Sequence, residues 1–494
     1  MSEHAGLNAL PESAPIVAIA GATGFIGRAL GRALAPRCRL IGLSRGGTGS
    51  GPFAGPTGEL RACDLFNLRD AERALDGATH GYYLVHSMMP SARLTQARFE
   101  DLDLICADNF ARAARRAGLR QIVYLGGLTP AGDALSPHLR SRREVEGTLA
   151  AYGVPVTTLR AGLVIGAGGS SFEMMQRLVR RLPAMLCPRW TVTRTQPIAL
   201  DDVVALLAFA LDRAACFSRT FDVGAPEVTT YRQMMAELAS LIGARRPLVK
   251  VPFLSPRLSS LWVSLIAGAP RALVAPLVRS LEHEMVARDR RLAEMAGLDE
   301  MSIREAMQRA LEETARREAK SGSGAKPKAF VGAEKKRGGR SEPKVQSVQR
   351  MELPVGRDAA WAAAEYLRWL PVSLRRLVRV TTDGSVARFF LALLGTELLV
   401  LSHAPDRSGP DRQLFFVTGG ALARTDSRPA RFELRQIPGG RILLTAIHDY
   451  RPRLPWLVYS LTQALFHKLV MALFRRHLHR LPSPTEPARA NAIN

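Results

Sequence analysis

The apolar run Ile16–Ala20 enters Gly21-Ala22-Thr23-Gly24-Phe25-Ile26-Gly27 and continues into apolar positions at helical spacing: Ala29, Leu30, Ala33 and Leu34. No other feature constrains the chain as tightly. A short buried strand that feeds a glycine turn and then a helix leaves backbone N–H groups at the helix start aimed at one point, where a pyrophosphate gains most. Glycines at 21, 24 and 27 remove the side chains that would hold the phosphates off. Gly21, Thr23, Gly24, Phe25, Ile26 and Gly27 are therefore the candidate pyrophosphate contacts, and a tight turn with no ligand is the other reading of the same spacing. Dinucleotide folds carry an acid roughly 20 positions further on for the ribose hydroxyls, or an Arg that accommodates a 2′-phosphate. Here Ser44 and Arg45 follow the apolar run 40–43, and residues 40–58 contain no Asp or Glu. NADP(H) is favoured over NAD(H).

Further apolar runs at 82–85, 122–125 and 156–159 alternate with helical patterns, and residues 96–117 form a long Ala- and Arg-rich helical stretch. That rhythm predicts an α/β class with a doubly wound parallel Rossmann-type sheet. Right-handed crossovers bring the strand C-termini together, so one crevice should be lined by residues 21–27, Ser44, Arg45, His86, Ser87, Gly126 and its neighbours to 129, and 160–163. Asp64 and Leu65 join them if 59–63 is a further strand.

With 494 residues, 47% of them hydrophobic, the chain can build about two to four domains. Its five cysteines are far apart, odd in number and without a C-x-x-C pair, which argues against zinc and disulfides and for a reducing cytoplasm. The first 15 residues lack a basic region and a long apolar core, and no run reaches about 18 uninterrupted apolar residues. Neither secretion nor membrane spanning is expected. No His/Asp/Glu cluster has metal spacing, so no metal is expected. The net charge of +24 invites nucleic acid or an anionic surface, yet six of the eight lysines fall within 319–347 and the arginines are scattered. That distribution reads as a solvated Arg-rich surface. No helix-turn-helix, finger or aromatic-interleaved strand pair points to specific nucleic acid.

The pattern divides the chain into a disordered N-terminus at 1–14, a nucleotide-binding domain with C-terminal helices at 15–318, a linker at 319–347, a second domain at 348–482 and a disordered tail at 483–494. The linker holds eight basic and two acidic residues and almost no aliphatics, too little apolar surface to offset its ordering entropy. Beyond it, strand patterns at 348–353, 387–394, 398–402, 413–417, 431–436 and 441–448 and a short helix at 358–370 precede a final helix at 456–478. Its apolar positions Trp456, Tyr459, Leu461, Leu465, Leu469, Ala472 and Leu473 recur at helical spacing, and strands around it would make a small α+β domain with an apolar cavity. The alternative is an amphipathic helix at a membrane surface, which with the basic linker would give peripheral contact with an anionic membrane.

Residues 16–298 resemble the short-chain dehydrogenase/reductase superfamily in its extended, atypical branch: GATGFIG at 21–27, Asp64-Leu65, LRAGLVIG at 159–166, QPIALDDV at 196–203 and TFDVGAPEVTTYRQMM at 220–235 occur in order. The strings YYLVHSM at 82–88, YLGGL at 124–128, SPHLRSRREVE at 136–146 and SFEMMQRLVRRLPAMLCPRW at 171–190 look like an epimerase/dehydratase-like bacterial NAD(P)-binding subfamily with a C-terminal DUF2867 domain. By that resemblance the glycine turn holds the pyrophosphate, Arg45 the 2′-phosphate and Asp64 with Leu65 the adenine. The tail, with HDYRPRLPW at 448–456, is similar to helix-grip, START-like ligand-binding domains.

The resemblance also implies a catalytic Tyr, a Lys four positions later and a nearby Ser, through which a phenol exchanges a proton with a carbonyl while hydride moves. This chain departs at all three places. The Ser position reads Gly126-Gly127, and the Tyr/Lys pair reads His138 and Arg142. An Arg binds ribose or phosphate but does not act as a base. His138 is a candidate proton donor, with a capping or solvated His as the bland reading, and His86 and Ser87 are further polar candidates. Three function classes stay open: an NADP-dependent oxidoreductase acting on a small apolar substrate, a catalytically inactive NADP-binding sensor or assembly factor, and a lipid or membrane-surface protein.

Overall fold

The computed structural model describes residues 10–46, 51–54, 57–86, 94–130, 135–251, 256–269, 271–320, 345–374, 377–424 and 429–481. Ser87, most of the expected linker and the expected C-terminal tail lie outside them. The chain divides into two compact units, residues 1–89 with 103–337 and residues 90–102 with 338–494.

In the first unit the apolar runs become seven parallel strands: β1 (Ile16–Ala20), β2 (Arg39–Ser44), β3 (Gly58–Ala62), β4 (His80–Tyr83), β5 (Gln121–Gly127), β6 (Val156–Ala161) and β7 (Thr220–Val223). They lie in the order β7-β6-β5-β4-β1-β2-β3. The doubly wound expectation is met. Growth of the sheet reverses between β1 and β4, which leaves a crevice at their C-terminal ends, the usual ligand position in such sheets. Strand β4 begins and ends earlier than the apolar run 82–85 suggests. Val17 pairs with His80 and Ala20 with Tyr83; beyond Ala20 the neighbouring chain turns away at Gly21, so Leu84 and Val85 leave the ladder.

Both faces of this sheet are covered by helices. On one, α1 (Phe25–Leu34) and α6 (Leu200–Ala210) close a core with Val17, Ile19, Tyr82, Val123 and Leu159. On the other lies α3 (Phe99–Arg116), whose Phe110 meets Tyr83 edge-on at 5.2 Å between ring centroids. Tyr82 donates its hydroxyl hydrogen to Leu207 O at 2.9 Å. Both tyrosines are thus core residues, and neither faces the crevice. Helix α2 (Leu68–Leu75) starts under an Asn67 cap, and α4 (Pro137–Ala150) under Ser136, whose hydroxyl accepts from Leu139 N, with Pro137 preset for the first turn. A second core gathers α5 (Ser170–Arg181), α7 (Tyr231–Leu241), α8 (Pro256–Ala267), α9 (Arg271–Ser280) and α11 (Ile303–Lys320), after the short α10 (Arg291–Ala296) has packed near β7.

In the second unit β8 (Val345–Glu352), β9 (Val378–Asp383), β10 (Val386–Leu391), β11 (Glu397–His403), β12 (Arg412–Gly419), β13 (Arg431–Gln436) and β14 (Ile442–Tyr450) form an antiparallel sheet in the order β9-β10-β11-β12-β13-β14-β8, and the short strand Leu94–Gln96 adds to β8 in parallel. Strand β9 has no apolar run to announce it, because it is a largely exposed edge. Helix α12 (Ala359–Ser373), capped by Asp358, packs on one sheet face beside the terminal helices α13 (Trp456–Leu461) and α14 (Gln463–Arg480). Tyr366 sits between Phe432 and Phe474 at 5.6 and 5.1 Å. A cavity of about 150 Å³, lined mostly by apolar side chains, lies between sheet and helices.

The terminal helix differs from its sequence reading. A break at Thr462 divides it, and the buried residues are Tyr459, Ala464, Val470, Met471, Phe474 and Leu478, whereas Leu461, Leu465 and Leu469 are exposed. On β13 the side chains alternate: Phe432 and Leu434 join the apolar core, while Arg431, Glu433 and Arg435 lie on the other face, also buried. Glu433 Oε1 accepts from Arg435 Nε at 2.8 Å and Arg412 Nε at 2.5 Å. Those guanidiniums hold its carboxyl well below the usual range even though burial pushes the other way.

Two measurements check this packing. A methyl group on Gly27 would lie 2.2 Å from Gly21 O, so Gly27→Ala should cost about 1–3 kcal/mol in denaturant titration; Gly147→Ala, an exposed helical site with nothing within 4 Å, should instead stabilise by about 0.4–1 kcal/mol. Burial lowers the His448 pKa to about 3, below its unfolded value of about 6.5. The contribution of its neutral form is therefore complete above pH about 6.5 and falls by roughly 1.4 kcal/mol per pH unit on acidification. His448→Gln should remove one proton's worth of that slope from the pH dependence of unfolding.

Candidate active site

The crevice begins at the glycine turn. Gly21 has φ +90°, and Gly24 N donates to Gly21 O at 2.9 Å, which closes the turn. Gly24 stands at the N-cap of α1 with no side-chain capping bond, and the first helical turn holds no acid. Opposite Gly21, a Cβ would meet Leu84 O at 3.0 Å. The backbone thus folds onto itself where side chains are missing, and the N–H groups at the start of α1 remain for an anion. These residues fit the diphosphate of a dinucleotide.

Ser44 and Arg45 follow at the end of β2, with Arg45 exposed and Ser44 Oγ accepting from Gly46 N at 3.2 Å. At the end of β3, Asp64 Oδ1 accepts from Phe66 N at 3.2 Å, while the Leu65 carbonyl accepts from Asn109 Nδ2 at 2.7 Å. Strand β3 therefore does bring Asp64 and Leu65 to the same rim as Ser44 and Arg45.

Deeper in the crevice lies a charge network that sequence reasoning found only in part. Arg142 Nη2, buried in α4, donates to Asp103 Oδ2 of α3 at 2.6 Å, and Ser141 Oγ donates to the same oxygen at 3.3 Å. His86 Nδ1 lies 3.0 Å from Asp103 Oδ2 and also contacts Arg142 Nη2. A neutral ring can donate to the first or accept from the second at Nδ1, not both. The His86 and His138 rings are 5.0 Å apart. Burial, then the Arg142 charge, pushes the His86 pKa down; burial, then the charges of His86 and Arg142, takes His138 well below its ordinary value. Both shifts favour the neutral ring. A neutral imidazole donates a hydrogen bond and polarises a carbonyl, but is a poor source of a proton.

Asp103 went unread because it stands between Leu102 and Leu104 in an otherwise ordinary helix. The available signal was that Asp101, Asp103 and Asp108 crowd an apolar helix, where a buried acid requires a partner. Gly126 and Gly127 differ in what they could hold: a Cβ at 126 would strike the Tyr124 ring at 2.9 Å, whereas one at 127 would make ordinary contact with Arg142 Cγ at 3.5 Å. Tyr124 is no substitute for the missing phenol, since burial raises its pKa to about 12.

Beside His138 and Gly127 opens a cavity of about 180 Å³, walled by Met174, Met175 and Leu178 of α5, Tyr231 and Met235 of α7, and residues of α8 and α9. Among the described residues, no Asp, Glu, Lys or Arg lines it. His138 is the one imidazole among its described lining residues, placed at the second position of α4 by the Ser136 cap and Pro137.

A model of the NAD dependent epimerase/dehydratase family matches residues 17–224. Among curated proteins, the auxiliary protein GraX of Staphylococcus aureus is 29% identical over 148 residues, which are 29% of this chain and 43% of GraX. The chain thus spans less than half the length of that relative. A dTDP-6-deoxy-L-talose 4-dehydrogenase (NAD(P)(+)) of Kitasatospora kifunensis is 28% identical over 273 residues, 49% of this chain and 84% of that protein. Among solved structures, the Citrobacter sp. triphenylmethane reductase complexed with NADP(H) is 17% identical at a TM-score of 0.48, covering 60% of this chain and 99% of its own. The family match thus covers the parallel-sheet part of the first unit and does not reach the antiparallel-sheet unit.

Proposed function

We propose that the first unit is an NADP(H)-dependent oxidoreductase acting on a small apolar carbonyl or quinone-like compound. The observation that carries this reading is the cavity that meets His138 and Gly127 at the strand ends and whose described lining is largely apolar, with Met174, Met175, Leu178 and Met235. The talose dehydrogenase is named for a nucleotide-sugar substrate, whereas the described lining of this cavity presents mainly Met, Leu and Val side chains. When bound, the cofactor supplies the hydride chemistry. The chain's own part is to bind, orient and exclude water. The glycine turn would hold the pyrophosphate, Arg45 the 2′-phosphate, and Asp64 and Leu65 the adenine end. Buried Asp103 fixes Arg142 and hence α4, which sets His138 at the cavity; its neutral ring offers a hydrogen bond to a substrate oxygen. The Met and Leu walls keep water from that oxygen.

A second reading is supported by a specific feature. Glycines replace the Ser, His138 replaces the Tyr, and the Arg142 side chain is engaged by Asp103. A fold so altered could bind NADP and NADPH differently without turnover, as a redox sensor or assembly factor. The two readings separate on one measurement: NADPH oxidation with a panel of quinones, enones and lipid carbonyls. Turnover supports the enzyme; tight NADPH binding with no turnover across the panel supports the sensor.

Two variants sharpen this. Arg45→Ala should weaken NADPH binding by roughly ten- to a hundredfold, the value of a charge-assisted hydrogen bond, and leave NADH binding unchanged in calorimetry; an equal loss for both coenzymes would remove Arg45 from the 2′-phosphate. His138→Phe should leave the NADPH Kd unchanged and lower kcat by roughly a hundredfold. Because the His138 pKa is depressed, kcat/KM should be flat between pH 6 and 8, and a rise on acidification through pH 7 would show a cationic His138 at work instead.

A further inference from the structure

We propose that the outer face of α13 and α14 docks the second unit onto an anionic lipid bilayer. Leu457, Leu461, Leu465 and Leu469 recur every four residues and expose 69%, 63%, 54% and 54% of their surfaces, with Val458 and Phe466 exposed beside them. The same two helices bury a different set, Tyr459, Ala464, Val470, Met471, Phe474 and Leu478, in the core of the unit. A helix that seats one apolar face on its own sheet has no structural need for a second. Leu393 and Leu394, at the tip of the hairpin joining β10 and β11, are also exposed, and Leu398 just beyond them lines the same cavity as Phe466.

Length and composition alone would let Trp456–Arg480 cross a membrane. The packing argues otherwise. Val470, Met471 and Phe474 are locked against α12 and the sheet, with Trp369 at 5.2 Å from Phe474, and crossing would strip this core and carry Lys468, Arg475 and Arg476 into hydrocarbon. Lying in the interface costs neither.

Charge selects the bilayer over a second copy of the chain. From Tyr450 to Leu481 there is no Asp or Glu, while Arg451 and Arg453 precede the stripe and Lys468, Arg475, Arg476 and Arg480 accompany it. The nearby acids are already engaged: Glu365 by His477 and Arg368, and Asp449 by Arg431. Two such faces would repel one another, whereas an anionic surface meets a leucine stripe and a cationic border at once, the two-signal arrangement that gives stable peripheral binding.

The test is co-sedimentation of the full chain with vesicles of phosphatidylcholine, with and without phosphatidylglycerol. Binding is expected only to the phosphatidylglycerol vesicles, weakening with added salt. Leu461→Ser/Leu465→Ser should reduce the partition coefficient by at least roughly tenfold, with an unchanged thermal melt because both sites are exposed; Leu457→Ser/Leu469→Ser serves if the first pair misfolds. No binding to anionic vesicles overturns the proposal, and so does binding that both leucine pairs leave intact, which would place the contact on basic segments elsewhere. A stripe-dependent dimer in light scattering without vesicle binding also overturns it, making a second copy the occupant.

Discussion

Gly27 has no room for a side chain, and the first unit is organised around that contact. Its α-carbon lies so near the Gly21 carbonyl that α1 starts directly over the end of β1. Close approach does two things at once. It seats Leu30 and Leu34 in the core with Ile19 and Val17, and it directs the unpaired N–H groups of the first helical turn into the crevice at the sheet's switch point. The missing methyl thus lets the helix pack close while leaving its first N–H groups uncovered.

The buried Asp103–Arg142 pair plays the corresponding part deeper in the crevice. It ties α3 to α4, and a buried ion pair of this kind is weak support for stability unless hydrogen bonds satisfy its remaining atoms. Here Ser141 and His86 add to Asp103 Oδ2, the oxygen Arg142 already holds, while Arg142 Nε is buried without a partner among the described residues, so the pair positions α3 against α4 more than it stabilises them. The consequence is chemical. Burial first, with the Arg142 guanidinium adding to it, pushes both imidazoles toward the neutral form beside a largely apolar cavity. Under the proposed function, that state suits substrates whose oxygen needs polarising more than a strong proton donor.

The second unit handles burial by alternation. Strand β13 turns Phe432 and Leu434 to the helices and places Arg431, Glu433 and Arg435 on the opposite face, where one carboxylate answers two guanidiniums. In α14 the same problem has a different outcome, because a helix with apolar residues around most of its circumference can seat only one stripe against a sheet. The leucines left outside are the basis for the proposed lipid-facing surface.

Local order along the chain was enough for the nucleotide fold. The strand-glycine-helix succession, the alternation of apolar runs with helical patterns, and the restart of strand patterning beyond residue 347 all rest on spacing within a few residues, and spacing is what a sequence records. Strands β7 and β9 escaped for the same reason: one is four residues long, the other a polar edge. Tertiary structure alone decided which leucines of the last helix are covered, because several stripes on that helix are apolar and the sheet selects one. It likewise decided that Tyr82 and Tyr83 are both core, since helices on each side leave neither face open, and that Asp103, 39 residues from Arg142, is its partner. Residues close in sequence declare themselves through periodicity; those joined only by folding are known from the distances the fold creates.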